Sequence, residues 1–149
     1  QRLQSQLSAK DRELVSFLMQ LSHKNELISK ITNQLNKLKS QNNDNNTNQL
    51  QQLLQILGDQ TSTPVDWPMI ESQIEKIHPG FFNRLQAKHA SISVKDKRLC
   101  AYLRLGLSSR EIAGLQNITS KSVEIARIRL RKKLKLSDKI RLANYLIQL

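Results

Sequence analysis

The side chains best suited to chemistry in this sequence are cations. Between Ser93 and Lys135 stand 12 Lys/Arg against 3 Asp/Glu, whereas residues 1–92 hold 10 against 8. Such a segment binds polyanions, and most of the formal net charge of +12 belongs to it. Bond-making chemistry has no comparable basis. His23, His78 and His89 lie far apart with no cysteine or carboxylate partner at metal-ligand spacing, and neither a Gly-rich phosphate loop nor a nucleophile motif occurs. The reading is a non-enzyme with no catalytic residue, metal, cofactor or evident small-molecule substrate, each His being a surface or helix-end residue. Cys100, the only cysteine, sits in the apolar stretch RLCAYLRL and is expected to be a small buried hydrophobe.

The elements that must carry these cations can be parsed from their caps. Ser93 with Asp96 has the S-x-x-D form of a capping box, predicting a helix through Leu105 that Gly106 ends in a left-handed conformation. Ser108 with Glu111 is a second box, opening a short helix over Ser109–Gln116. Asn117-Ile118 then leads through a tight turn to Thr119, the predicted cap of a longer basic helix that ends near Lys135. Helix, short turn, longer basic helix is the helix-turn-helix order of DNA-binding proteins.

On the long helix Val123, Ala126, Leu130 and Leu134 share one face, which must pack onto the domain. Lys121, Glu124, Ile125, Ile128 and Lys132 then face outward, with Ser122 near the start and Arg129 and Arg131 on the margins. Two isoleucines exposed among cations are odd for a merely solvated face. A DNA major groove accounts for them, because apolar groups meet thymine methyls, Glu accepts from cytosine N4, and Lys and Arg reach phosphates or guanine.

Upstream, Leu3, Leu7, Leu14, Phe17, Leu21, Ile28, Ile31, Leu35 and Leu38 follow a heptad repeat over residues 1–40. One core position is held by Leu7, Leu14, Leu21, Ile28 and Leu35. The other carries Leu3, Lys10, Phe17, Lys24, Ile31 and Leu38, and its two lysines suit a two-stranded arrangement. Leu18 and Leu27 widen the stripe, leaving room for a third surface. The Asn-rich run 41–48 reads as a turn, followed by a short amphipathic helix (Leu50, Leu53, Leu54, Leu57) stopping at Gly58, and then a linker to residue 66. That short helix folds back as a hairpin, or the first helix pairs in parallel with a second chain; both arrangements stay open. Asp66 caps a helix over Trp67–His78 with Ile70, Ile74 and Ile77 inward and Trp67 as a core anchor. Pro79-Gly80 ends it before a further helix from Phe81 to about Lys88. Sparse Gly, Pro and aromatic residues complete an all-α expectation: an N-terminal coiled coil or helical hairpin, then a helical domain over 67–149.

The segment ISVKDKRLCAYLRLGLSSREIAGLQNITSKSVEIARIRLRKKLKL resembles the LuxR/GerE family. The family pattern falls on Ile92-Ser93, Asp96, Gly106-Leu107-Ser108, Glu111-Ile112-Ala113, Ser122-Val123 and Lys133-Leu134 without a gap, over about residues 92–149. Residues 137–149 stand where that family has a fourth helix that often dimerises. Gln116 departs from a usually apolar place, and Gly114 weakens its helix. Glu124 stands where Lys is common and Ala126 where His is frequent, so no target sequence carries over. The stretch VDWPMIESQIEKIHPGFFNRL, with the segments after it, is similar to the cytoplasmic tail of Bacteroidetes triple-tyrosine sensor-regulators, in which a membrane helix and a coiled coil precede the LuxR-type domain.

What the resemblance implies is a sequence-specific transcription regulator that binds double-stranded DNA as a homodimer through the coiled coil. Its expected location is the cytoplasm, as the cytoplasmic part of an inner-membrane protein. The sequence starts with Gln1 already inside a helical pattern, as a piece of something longer would, and it contains no membrane span or signal peptide of its own. The first 90 residues lack the alternating strands and acidic cluster of a phospho-acceptor receiver. A competing expectation is a coiled-coil interaction module that binds RNA or a membrane surface nonspecifically, although such a module needs no paired capping boxes.

Overall fold

The structure, a computed structural model, describes the backbone of residues 2–41, 47–61 and 65–149 and the side chains of 9–40, 48–57 and 65–149. The described residues form eight helices and no strand: α1 (Arg2–Gln41), α2 (Thr47–Thr61), α3 (Trp67–Ile77), α4 (Phe81–Lys88), α5 (Val94–Arg104), α6 (Ser109–Gln116), α7 (Ser120–Lys133) and α8 (Leu142–Gln148). None of them is long and apolar enough to cross a membrane.

The C-terminal helices begin and end where the caps require. Asp66 Oδ1 accepts from the Met69 amide at 3.3 Å to open α3. Gly80 and Gly106 take positive φ at the breaks before α4 and after α5, where a Cβ would strain the backbone. Ile70, Ile74, Ile77, Phe81, Phe82 and Leu85 turn inward to meet Leu99, Tyr102, Leu103, Ile112, Leu130 and Leu146 in one buried cluster. Trp67 anchors it as expected, edge-on to Phe82 and Tyr102 with ring centroids 6.3 and 5.9 Å away, and the Arg98 guanidinium lies 5.2 Å from the centre of its ring.

The N-terminal helix departs most from the heptad expectation. At 40 residues α1 is about 60 Å long, and its first half is part of the domain rather than a free stalk. Leu14 and fully buried Leu18 belong to the same cluster as the C-terminal helices. Leu18, expected on a flank, is thus more deeply buried than any described residue of the seam. Of the first heptad position, Leu14 and Ile28 are buried, and Leu21 and Leu35 are half-buried. Phe17, Ile31 and Leu38 at the second stay exposed, with Lys10 and Lys24 among them. The seam is split because one of its two rows already packs within the chain. The side chains of Leu3 and Leu7 lie outside the described residues.

Of the two arrangements open for residues 1–57, the hairpin is present: α2 packs on α1. Leu50, Leu54 and Leu57 are half-buried, while Leu53 and Ile56 point outward. Gly58 does not stop α2, which continues to Thr61. A glycine inside a helix costs only about 1 kcal/mol relative to Ala, which a packed apolar face offsets. The Asn-rich turn is bounded by Gln41 and Thr47, and its residues 42–46 lie outside the described residues, as do 62–64 of the expected linker.

Candidate nucleic-acid interface

Three caps fix the helices that present the basic face. At α5 the Asp96 amide donates to Ser93 Oγ at 3.1 Å and the Ser93 amide to Asp96 Oδ2 at 3.0 Å. At α6 the Glu111 amide donates to Ser108 Oγ at 3.2 Å and the Ser108 amide to Glu111 Oε2 at 2.9 Å. Both expected boxes are therefore closed in both directions. Asn117 takes the left-handed conformation (φ 54°) that turns the chain, and the Thr119 hydroxyl accepts from the Ser122 amide at 3.1 Å to start α7. Caps of this kind contribute about 1 kcal/mol each.

The inner face of α7 is the one expected, with Val123, Leu130 and Leu134 buried and Ala126 partly so. Ser109 and Arg127 tie α6 to α7, the Arg127 Nη1 donating to Ser109 Oγ at 3.1 Å. The end of α7 is tied to the start of α5 by Lys133 Nζ and Asp96 Oδ2, 2.7 Å apart. Burial pushes the Asp96 carboxyl up, but hydrogen bonds from Lys133 and Ser93 outweigh it and leave the group below its ordinary value. These bonds hold the outer face of α7 in one orientation on the domain.

On that outer face stand Lys121, Ser122, Glu124, Ile125, Ile128, Arg129 and Lys132, all exposed. Ile125 and Ile128 are 42% and 57% accessible, two large apolar side chains exposed within one turn of each other. Arg131 differs from the other seven candidate residues. It is half-buried, and its Nη1 donates to the carbonyls of Ser137 and Ile140, so it fastens the turn between α7 and α8. Lys133 and Arg127 are likewise committed internally. Arg127 could have been found from periodicity, since it lies four residues from Val123 and three from Leu130 on the packed side.

One cation beside this face has no local sequence signal. Arg110, in the first turn of α6, pairs through Nη2 with Glu26 Oε1 of α1 at 2.7 Å. The Arg110 hydrogen bond, and secondarily Lys30, hold the Glu26 carboxyl below its ordinary value. An open groove of about 590 Å³ separates α1 from the start of α7, lined by Glu26, Lys30, Arg110, Asn117, Thr119 and Ser120 among others.

Two of the three histidines make structural contacts, and His23 is exposed on α1. His78, at the end of α3, pairs with Asp11 of α1 at 2.8 Å and lies 3.2 Å from Arg104. His89, at the end of α4, shares a 2.6 Å hydrogen bond with the Tyr145 hydroxyl, and burial, helped by Lys88 and Lys135, lowers its pKa. Burial pushes the Cys100 thiol up to about 12, which leaves it a neutral core group. The chain matches no family model, no curated protein and no solved structure.

Proposed function

We propose that residues 92–149 form a DNA-binding helix-turn-helix of the LuxR type, with α6 as the supporting helix and α7 as the helix that enters the major groove. The observation that carries this reading is the outer face of α7, where exposed Ile125 and Ile128 alternate with Lys121, Glu124, Arg129 and Lys132 on a helix whose opposite side is buried. Apolar contact with thymine methyls, acceptance from cytosine N4 and cationic contacts to phosphate use each of these side chains.

The particular role we assign is the cytoplasmic output region of a bacterial sensor-regulator, controlling transcription as a homodimer. Support comes from the sequence resemblance and from the exposed row of Phe17, Ile31 and Leu38 on α1, with Leu53 and Ile56 also exposed on the adjacent α2. A second copy packed on that row as a coiled coil would make the two-fold dimer that must set two α7 helices about 34 Å apart to enter successive major grooves.

Selection of bound duplexes from a random pool, using the full chain, tests the reading. The expected result is enrichment of a motif with two related half-sites. Binding that falls steeply with salt yet enriches no sequence overturns it in favour of a nonspecific polyanion module.

A further inference from the structure

The face of α1 that meets α6 is polar and close-fitting. Ser22 Oγ donates to the Glu111 carbonyl at 2.6 Å, Asn25 Nδ2 to the Gly114 carbonyl at 3.1 Å, and Glu26 takes the Arg110 guanidinium. These three residues lie within one helical turn of α1 and fall on one face of α6. Gly114 makes the approach physically possible, because a Cβ there would lie 2.2 Å from Ser22 Oγ and 2.8 Å from its carbonyl oxygen. The glycine that weakens α6 as an isolated helix is therefore the residue that lets α1 dock.

The same contact is incompletely satisfied. Asn25 is only 3% exposed, and its Oδ1 has no hydrogen-bond partner. A buried orphan acceptor penalises the docked arrangement, so docking sits closer to balance than an apolar contact of the same size. It also lies next to the surface that a duplex would approach, since the groove between α1 and α6 opens on Thr119 and Ser120, just before Lys121 and Ser122.

Accepting the DNA-binding reading above, we propose that α1 is an intramolecular competitor of DNA: Glu26 holds Arg110 in place of a backbone phosphate, and release of α1 from α6 frees that guanidinium for the duplex. Arg110 suits the exchange. Its side chain is 71% accessible even when paired, so its other nitrogens already face solvent. Arginine binds carboxylate and phosphate oxygens with the same donors, so a phosphate must take Nη2 from Glu26 or bind beside a carboxylate whose charge repels it. A means of release is also present. The apolar row of Phe17, Ile31 and Leu38 lies roughly opposite the Ser22–Glu26 face by helical periodicity. A helix packed on that row turns or lifts α1 without touching α6.

The test uses the full chain, a duplex recovered by the selection described above, and four proteins: unaltered, Glu26→Gln, Arg110→Gln and the double variant. Glu26→Gln is expected to raise duplex affinity roughly 5- to 20-fold and to steepen the log-log salt dependence by about 0.9, the increment for one added phosphate contact. Arg110→Gln alone should change affinity less than twofold, and in the double variant the gain should vanish. Gly114→Ala reaches the same released state by steric means and should speed amide exchange along α1 from Ser22 onward with no DNA present. Duplex binding by the unaltered chain that fails to rise in Glu26→Gln overturns the competition alone. Failure of the selection to recover any bound duplex, with exchange still faster in Gly114→Ala, overturns the DNA reading and the competition with it.

Discussion

Two helices, α1 and α7, each bury one face and leave large apolar side chains on the other, yet the exposed faces differ in what surrounds those side chains. On α7 the two isoleucines are set among Lys121, Arg129 and Lys132, with Glu124 beside them. On α1 Phe17, Ile31 and Leu38 form a row interrupted by a single charge, Lys24. An apolar group ringed by cations fits a charged polymer that carries methyl groups, whereas an apolar row at heptad spacing fits another helix. Exposure alone therefore does not assign a partner; the charges within one turn do.

The sharpest way to break the contrast is inside α1. Leu18→Ala removes a fully buried side chain from the shared core and should cost about 2–5 kcal/mol, read as a fall in the denaturant midpoint. A free stalk would lose almost nothing. On α7, Lys132→Ala should weaken binding to every duplex and flatten its salt dependence, while Glu124→Ala should change which base is preferred by about 1–3 kcal/mol. Equal losses on all sequences from both substitutions would remove base readout from this face. If the proposed homodimer packs on the α1 row, Ile31→Glu should convert it to monomer in sedimentation while changing monomer stability by only about 0.5 kcal/mol, as for an exposed position; a dimer that persists would move the interface elsewhere.

The smallest expected effect comes from His89. Its folded pKa lies below the ordinary 6.5 because burial, Lys88 and Lys135 disfavour the cation. The unfolded chain then binds more protons in the window between the two values. Stability should accordingly fall as pH drops through 6.5 and level off below the folded pKa. Replacement by Gln should flatten that part of a stability-pH curve.

Much of the C-terminal architecture was legible because its signals are local. Each capping box needs two residues three apart, and Gly106 and Asn117 mark the breaks by their own backbone preferences. The inner face of α7 followed from periodicity. The heptads of α1 were equally visible, but a repeat gives the spacing of apolar rows and not which row the same chain will cover. Gly58 misled because the α1 surface that sustains α2 is not a local property. Arg131 looked free for DNA, since carbonyls six and nine residues ahead are not encoded in side-chain types. Gly114 read as a weakness of its helix because the residue that needs it, Ser22, is 92 positions earlier.

Trp67 has one more consequence. It is the only tryptophan, and it lies edge-on to Tyr102 and Phe82 beneath the Arg98 guanidinium. A single indole in a mostly apolar wall with one cation over its ring gives the chain an intrinsic fluorophore of known address. Its emission should shift to the red when the cluster opens to water, and it is buried in the core rather than set on the outer face of α7, so nucleic acid on that face should leave the signal largely undisturbed. Unfolding can thus be followed by this one emission with nucleic acid present or absent.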